Sequence, residues 1–296
     1  MSKNIGAPTE SNCNVNVTIL LPAYNEEKSI GKTITEIKKL YPDVEILVVD
    51  DGSTDNTMKI AMEAGANVWP HSYNLGNGAA IKSGLRCAKG DWIVMIDADG
   101  QHNPADIARL LEHKDKYDMV VGARTGLYKG AFHRTFANRI YNLLATYVTS
   151  TKIKDLTSGF RMIKKDVAQK YIYLLPNTFS YPSTITMAYL RSGRSLKYLP
   201  ITIKKRKGTS KISLLKDGTR FLLIITKVAT LYSPFRVFLP VSATFFLTGL
   251  FYYCYTFITA HRFSNMSTFL FSTSVIIFMM GLISEQITQM RYERSE

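Results

Sequence analysis

The chain has 296 residues, enough for one large domain or for one domain with a short appendage. Its three cysteines, Cys13, Cys87 and Cys254, are far apart and lack metal-ligand spacing, which argues against a disulfide framework and against a zinc site. The net charge of +14 suits a nucleic acid or an anionic membrane as partner, but basic residues concentrate between Lys197 and Arg236, directly before an apolar tail, which favours the membrane and argues against nucleic acid.

Residues 1–14 are polar and lack the apolar stretch of a secretory signal, so we expect a disordered tail. In the domain that follows, over residues 15–211, apolar runs alternate with helical patterns. The runs are Val17–Leu21, Ile46–Val49, Trp92–Ile96 and Met119–Val121, and the helical patterns are Lys28–Leu40, Thr54–Ala64, Ala79–Ala88 and Pro104–His113. This alternation predicts an α/β fold with a mainly parallel, Rossmann-like sheet whose strands are buried on both faces.

Three acidic motifs follow three of these runs: Pro-Ala-Tyr-Asn-Glu-Glu from Pro22, Asp-Asp-Gly-Ser-Thr-Asp from Asp50, and Asp-Ala-Asp-Gly-Gln-His from Asp97. Ligands bind beyond the carboxyl ends of parallel strands, so we expect the motifs to share one cleft. A bound cation is the simplest way to neutralise them, and Asp97 and Asp99 offer the hard oxygen ligands that Mg²⁺ or Mn²⁺ prefers. An Asp-x-Asp pair alone is equally typical of a solvated turn; its position after a buried strand favours the metal site.

Residues 212–233 predict an amphipathic helix that lies in the membrane surface. At 100° per residue, Lys216, Arg220 and Lys227 fall within about 40° of one another, with apolar residues mostly opposite. The alternative is a helix that packs on the soluble domain.

Two uncharged segments then follow, Val237–Thr259 and Met266–Ser284, each long enough to cross a hydrocarbon core, which takes about 20 residues. They predict a transmembrane hairpin over residues 234–288, with spans of about 237–259 and 266–287; two buried core helices are the alternative. Basic residues flank the hairpin at both ends, so we expect the soluble domain and a tail of residues 289–296 on the cytosolic side.

The acidic motifs, together with Asn74–Gly78, Gly122–Arg124 and Asp155–Phe160, resemble the inverting family-two glycosyltransferases, whose fold is called GT-A. Gly208–Lys211, the amphipathic helix and the hairpin are similar to those of the polyprenyl-phosphate glycosyltransferases, the group that contains dolichyl-phosphate mannose synthase and undecaprenyl-phosphate sugar transferases. The resemblance extends from Val17 to the C-terminus. It implies transfer of a hexose-type sugar from a UDP- or GDP-sugar to dolichyl or undecaprenyl phosphate, with inversion, and it suggests a homo-oligomer.

The resemblance also implies roles for individual residues. Mg²⁺ or Mn²⁺ would bind Asp97, Asp99 and Gln101. The chain departs from the family at Asn77, where lysine is frequent, and at Lys205, where arginine is frequent, so it stays open whether Lys205 or its neighbour meets the diphosphate. The nucleotide-sugar site would comprise Pro22, Ala23, Tyr24, Glu26, Val49, Asp51, Asp97, Ala98, Asp99, Lys205, Arg206 and Lys211.

A phosphate acceptor has a second pKa of about 6, so it is mostly a dianion at neutral pH and needs cations rather than a base. Guanidinium groups match phosphate geometry, which makes Arg124 and Arg134 the candidates, with Asn138 as a further lipid-phosphate contact. Arg139 and Arg161 are weaker candidates, because each is equally typical of a surface or helix-pairing charge. Asp155 is expected to orient the sugar or the arginines. The predicted catalytic residues are Asp97, Asp99, Asp155, Arg124 and Arg134.

Three alternatives to a polyprenyl-phosphate transferase stay open at this stage. A processive polysaccharide synthase would carry a Gln-x-x-Arg-Trp motif, whereas Trp69 and Trp92 stand in other contexts. A transferase with a hydroxyl acceptor and a catalytically inactive membrane scaffold are the other two. A P-loop nucleotidase is excluded, because Gly76-Asn77-Gly78 lacks the following Gly-Lys-Ser/Thr.

Overall fold

The structure is a computed structural model that describes residues 16–124, 142–143, 145–147, 149–177, 181–203, 230 and 233–293. The predicted tail of residues 1–14, most of the predicted amphipathic helix of residues 212–233 and the final residues 294–296 lie outside that part. Seven strands are described, namely β1 (Val17–Ala23), β2 (Glu45–Asp50), β3 (Asn67–Pro70), β4 (Trp92–Met95), β5 (Met119–Arg124), β6 (Arg161–Lys164) and β7 (Leu196–Ile201). Eight α-helices are described, namely α1 (Ile30–Leu40), α2 (Thr57–Glu63), α3 (Asn77–Cys87), α4 (Asp106–Leu111), α5 (Lys165–Lys170), α6 (Tyr181–Arg191), α7 (Pro234–Ala260) and α8 (Asn265–Glu293).

All seven strands form one sheet in the order β3-β2-β1-β4-β6-β5-β7. Every neighbouring pair is parallel except those made by β6, which runs antiparallel to both β4 and β5. The prediction of an α/β fold with a mainly parallel sheet is therefore confirmed. The strands β3, β6 and β7 have no counterpart among the predicted runs, and β6 separates β4 from β5, which follow one another in the apolar pattern.

The sheet is buried on both faces because successive side chains of its central strands point into two separate cores. In β1, Leu20 packs with residues of α3, α5 and α6, whereas Ile19 and Leu21 pack with residues of α1 and α4. Continuous apolar strands such as this one are what a doubly covered parallel sheet requires.

Helices α1 and α2 begin later than the patterns predict, because the residues before them form the loops of the polar edge. The amides of Ser29 and Ile30 both donate to the carbonyl of Glu26, which makes a turn ahead of α1. Ahead of α2, the amide of Thr54 donates to Asn25 Oδ1 at 2.8 Å. These loop contacts take the residues out of the helices and place them at the carboxyl edge of the sheet.

Helices α7 and α8 form a hairpin in which both helices are long and apolar enough to cross a membrane. The candidate spans are Pro234–Thr259 and Asn265–Met290, and in an apolar 18-residue window of each only 11% and 17% of the window is buried, so the alternative of two buried core helices is wrong. The helices meet through small residues: Ser242 Oγ donates to the carbonyl of Ser274, and Ser274 Oγ donates to that of Ser242, each at 2.9 Å. Hydroxyl pairs and close small-residue contacts are typical of helix association in lipid.

Candidate functional site

The strand order brings the three acidic motifs together at one edge. Strands β2, β1 and β4 are parallel neighbours, and Ala23 pairs with Asp50 while Leu20 pairs with Met95. Each motif therefore leaves the sheet at its carboxyl edge. Since β6 is antiparallel, it starts at this same edge, and Arg161 lies beside Met95 and Val121. The segment before β6, which contains Asp155, therefore lies at the same edge as the acidic motifs.

The first two motifs bind each other through backbone-to-side-chain hydrogen bonds. Asn25, in the left-handed region with φ 55°, donates its amide to Ser53 Oγ at 2.9 Å. The amide of Glu26 donates to Thr57 Oγ1 at 2.8 Å. Tyr24, predicted to contact the nucleotide, is 44% exposed on this rim, whereas the neighbouring Ala23 is buried. The two loops thus form a hydrogen-bonded rim with an exposed aromatic ring.

Asp51 accepts hydrogen bonds on both of its carboxylate oxygens, although only 2% of the residue is exposed. Its Oδ1 atom contacts His71 Nδ1 at 2.8 Å and accepts the amide of Leu75 at 3.0 Å, and its Oδ2 atom accepts the amide of Gly76 at 2.8 Å. His71 Nε2 lies 2.9 Å from Ser83 Oγ. Two carboxylate oxygens offer about four acceptor positions. Three are used here, so Asp51 orders the segment 71–76 and keeps capacity for a ligand donor.

The predicted metal ligands follow β4. The side chain of Asp97 is 39% exposed, and its Oδ2 atom lies 3.7 Å from His102 Nε2. Burial works to raise the pKa of Asp97, but His102, Arg124 and Arg161 outweigh it, so the pKa is lowered and the carboxylate is ionised at neutral pH. Asp99 Oδ1 accepts the amide of Gln101 at 3.0 Å.

These residues fit a metal that is shared with a substrate. Among the described residues, no group of three or more His, Cys, Asp or Glu side chains is arranged to enclose an ion. Mg²⁺ usually binds one or two carboxylates and completes its shell with water and substrate phosphates. A part-exposed, ionised Asp97 with Asp99 nearby is a donor set of that kind.

Asp155 and Arg124 form a bidentate ion pair beside Asp97. Arg124 Nε lies 2.7 Å from Asp155 Oδ2 and Arg124 Nη2 lies 2.8 Å from Oδ1, and the amides of Arg124 and Thr157 donate to the same carboxylate at 3.2 Å. Burial works to raise the pKa of Asp155, but these bonds and the charge of Arg124 outweigh it and lower the pKa. The Asp155 side chain is 10% exposed and that of Arg124 34%, so the guanidinium is the more accessible partner.

Three residues absent from the predicted site support Asp97. A Cβ atom on Gly159 would lie 2.9 Å from Asp97 Oδ2 and 3.2 Å from the Tyr181 hydroxyl, so a side chain at this position would force Asp97 or Tyr181 to shift. Burial, followed by the charge of Asp97, raises the pKa of Tyr181, which keeps its hydroxyl protonated. His102 stacks on Phe160, with ring centroids 5.1 Å apart. His102 and Gly159 stand inside the two matching motifs and could have been found there; nothing in the sequence marks Tyr181.

Arg161 is fully buried, so the alternative of a surface charge is wrong. Its Nη1 atom donates to the carbonyl of Pro182 at 2.9 Å and to Thr186 Oγ1 at 3.0 Å, and its Nε atom donates to the carbonyl of Ser158 at 3.1 Å. Burial lowers its pKa, while the nearby Tyr181, Tyr198, Asp155 and Asp97 act in the opposite direction. Arg161 is thus a cation beneath the site that ties the start of β6 to α6.

Of the other predicted residues, Pro22 and Val49 pair across β1 and β2, and Ala98 is buried beside Asp97. Glu26 Oε2 accepts the hydroxyl of Ser29 at 3.0 Å. The structure therefore brings together the first two motifs, the metal candidates and the Asp155–Arg124 pair. The predicted phosphate-binding residues that lie outside the described part of the chain are Arg134, Asn138, Lys205, Arg206 and Lys211.

Comparison with known proteins identifies both parts of the chain. The model of the family "Glycosyl transferase family 2" matches residues 18–172, more than half of the chain, and that of the "GtrB C-terminal hairpin" matches residues 233–290. An undecaprenyl-phosphate 4-deoxy-4-formamido-L-arabinose transferase of Pectobacterium atrosepticum is 28% identical over 79% of this chain and 73% of its own length. A polyprenol monophosphomannose synthase of Mycolicibacterium smegmatis is 29% identical over 66% of this chain and 80% of its own.

A solved structure supports the same fold. Glucosyl-3-phosphoglycerate synthase from Mycobacterium tuberculosis, in complex with Mn²⁺, UDP and phosphoglyceric acid, matches with a TM-score of 0.58 at 20% identity, over 72% of this chain and 77% of that one. The resemblance inferred from the acidic motifs and the hairpin is confirmed. The chain is a glycosyltransferase, and it belongs to glycosyl transferase family 2 with a C-terminal hairpin of the GtrB type.

Proposed function

We propose that the protein transfers a hexose-type sugar from a UDP- or GDP-sugar to a polyprenyl phosphate at the cytosolic face of a membrane, with inversion at the anomeric carbon. The observation that carries this proposal is the Asp155–Arg124 pair. A hydroxyl acceptor needs a base to take its proton. Asp155 is a poor base, because Arg124 holds both of its oxygens and its pKa is lowered. A phosphate acceptor, mostly a dianion at neutral pH, needs only to be aimed.

The donor would bind along the rim made by the first two motifs, where Asp51 retains acceptor capacity for a base N–H and Tyr24 offers an exposed ring. Asp97, Asp99 and Gln101 would hold Mg²⁺ or Mn²⁺, which would stabilise the charge that develops on the diphosphate. Arg124 would contact the acceptor phosphate, with the plane of its guanidinium fixed by the ion pair to Asp155. Arg134, Asn138, Lys205, Arg206 and Lys211 remain the proposed further contacts of the two phosphate groups.

In the transfer, an oxygen of the acceptor phosphate forms a bond to the anomeric carbon as the bond from that carbon to the nucleoside diphosphate breaks. The electron pair of the broken bond stays on the diphosphate oxygen, so no proton is transferred. Attack from the face opposite the leaving group converts an α-linked donor into a β-linked product. The names of the two polyprenyl-phosphate relatives support this choice of acceptor.

The deciding experiment supplies purified protein with UDP- and GDP-sugars and with four acceptors: undecaprenyl phosphate, dolichyl phosphate and the two corresponding free alcohols. We expect product with a phosphate acceptor only, in the presence of Mg²⁺ or Mn²⁺, and a β-linkage by NMR. Product with the free alcohols alone would refute the proposal in favour of a hydroxyl acceptor. A ladder of products would indicate a processive synthase, and no turnover of any donor would indicate an inactive scaffold.

Two apolar helices in a hairpin would return the chain to the side from which it entered, and the basic residues at both ends of the hairpin favour the cytosol as that side. Protease treatment of sealed, right-side-out vesicles should leave the catalytic domain intact, and the same treatment of inverted vesicles should remove it. The opposite pattern would refute the cytosolic placement. Mass measurement in lipid nanodiscs would test the homo-oligomer.

A further inference from the structure

Helix α6 connects the candidate site with the membrane hairpin. The first residue of the helix is Tyr181, whose hydroxyl lies next to Gly159, as does the Asp97 carboxylate. Residues 181–189 are all buried, so the helix is held by the core along most of its length. At its last residue, Arg191 contacts the hairpin. Eleven residues at 1.5 Å per residue span roughly 16 Å, so α6 acts as a short rigid rod between the two regions.

Glu285 of α8 is the residue that Arg191 contacts. Arg191 Nη2 lies 2.5 Å from Glu285 Oε1, and Glu285 Oε2 accepts the amide of Phe235, in the first turn of α7, at 3.2 Å. Ser233, which precedes α7, makes no capping bond with its side chain. A carboxylate at a helix N-terminus satisfies an otherwise unpaired amide and interacts favourably with the helix dipole. Glu285 therefore joins both membrane helices to the catalytic domain.

The acidic side chain is exceptional in its surroundings. Glu285 lies near the C-terminal end of the candidate span Asn265–Met290, and its side chain is 20% exposed. Ionisable residues inside such spans are costly and are retained for a specific partner. Here the partner is a cation from outside the hairpin.

A second contact lies on another segment of the catalytic domain. Arg236 Nη1 donates to the carbonyl of Tyr147 at 2.5 Å and to Ser150 Oγ at 2.7 Å, and the Tyr147 hydroxyl donates to the carbonyl of Arg236 at 3.2 Å. The segment that contains Ser150 continues directly to Asp155. The hairpin is therefore connected to Asp97 through α6 and to Asp155 through residues 150–155.

We propose that Glu285 and Arg191 are positioning residues that set the height and tilt of the catalytic cleft above the bilayer. The phosphate of a membrane-embedded acceptor would then lie at the height of Arg124. The inference rests on the proposed function, because it assumes an acceptor whose chain is buried in lipid. Chemistry at the cleft itself does not need the contact. A soluble acceptor can approach at any height, whereas an embedded one cannot.

The test compares two acceptors in liposomes: undecaprenyl phosphate and a short, water-soluble prenyl phosphate. For Arg191→Gln and for Glu285→Gln we expect kcat/KM with undecaprenyl phosphate to fall about tenfold or more, since misplacement of about 1 Å can cost up to a hundredfold. The same variants should stay within about twofold of wild type with the short acceptor. Arg191→Lys, which keeps the charge, should recover most of the loss, and the double Gln variant should be no worse than either single variant.

Gln286→Ala, an exposed neighbour on α8, is the matched control and should change neither value. Thermal unfolding in detergent and binding of the nucleoside diphosphate check that each variant is folded. Equal losses with both acceptors, or no loss with undecaprenyl phosphate, would overturn the inference. If wild-type protein transfers sugar to neither acceptor, the proposed function fails first, so the two failures are distinguishable.

Discussion

Replacing Asp155 by Asn tests the role of the ion pair directly. Asn keeps the size of the side chain and one acceptor oxygen, but it turns the second oxygen into an NH₂ group that faces Arg124 Nη2 or Nε, a donor against a donor. Arg124 therefore loses one of two charge-assisted hydrogen bonds and the fixed plane that the fork imposes.

The size of the effect follows from burial. A hydrogen bond to a charged group contributes about 1.5–3 kcal/mol, and removing one partner of a fully buried ion pair costs about 3–5 kcal/mol. Because the Arg124 side chain is 34% exposed, water replaces part of the lost contact, and the lower range applies. At 1.36 kcal/mol per factor of ten, about 1.5–3 kcal/mol corresponds to a roughly 10- to 150-fold fall in kcat/KM.

The assay measures kcat and KM for the acceptor, together with donor binding and thermal unfolding. If Arg124 no longer orients the acceptor, kcat/KM for the acceptor should fall, and the affinity for the nucleoside diphosphate should stay unchanged. Asp91→Asn is the matched control, because Asp91 is exposed just before β4, at the opposite end of the strand from Asp97. If Asp155→Asn retains more than about a tenth of wild-type activity, the reasoning fails.

Four further predictions concern the same edge. Asp97→Ala should abolish metal-dependent turnover, and full activity of this variant in EDTA would rule out the metal assignment. Gly159→Ala should reduce turnover about tenfold or more, because its Cβ atom would lie 2.9 Å from Asp97 Oδ2; wild-type kinetics would show that the carboxylate can move. His71→Ala should weaken nucleoside-diphosphate binding more than it slows turnover, since Asp51 loses one partner; calorimetry measures this, and unchanged affinity would contradict it. The pKa of Asp155 is lower in the folded protein than its unfolded value of about 4, so ionised Asp155 stabilises the fold above that pH, and this stabilisation is lost as pH falls through the folded-state pKa. The unfolding temperature of Asp155→Asn should therefore depend less on acid pH than that of wild type. Equal dependence in both proteins would count against the ion pair.

The part of the site that follows parallel strands could be predicted from the sequence. Apolar runs predict where β1, β2 and β4 end, and the rule that ligands bind at carboxyl ends places Asp51 and Asp97 at one edge without any knowledge of pairing. The two-span hairpin could be predicted for a similar reason, because length and absence of charge are local properties.

The remaining site depends on pairings that no local pattern specifies. Four-residue β6 enters between β4 and β5 in the opposite direction, and this insertion is what brings Asp155 to Arg124. Burial of Arg161 depends on the Pro182 carbonyl and the Thr186 hydroxyl of α6, which lie more than 20 residues along the chain and accept its hydrogen bonds. In a single sequence a buried arginine and a surface arginine look alike, because the difference lies in distant hydrogen-bond partners.

The crossed hydroxyls of Ser242 and Ser274 also have a mechanical consequence. In an antiparallel pair, sliding one helix by a single residue changes every facing pair at once, so two reciprocal bonds near the middle fix the alignment of the ends. The alignment that satisfies both serines is the one that brings Glu285 to the amide of Phe235, seven residues from Ser242 on one helix and eleven from Ser274 on the other. The serine pair inside the hairpin thus determines the position of Glu285, the residue through which the hairpin contacts Arg191 of the catalytic domain.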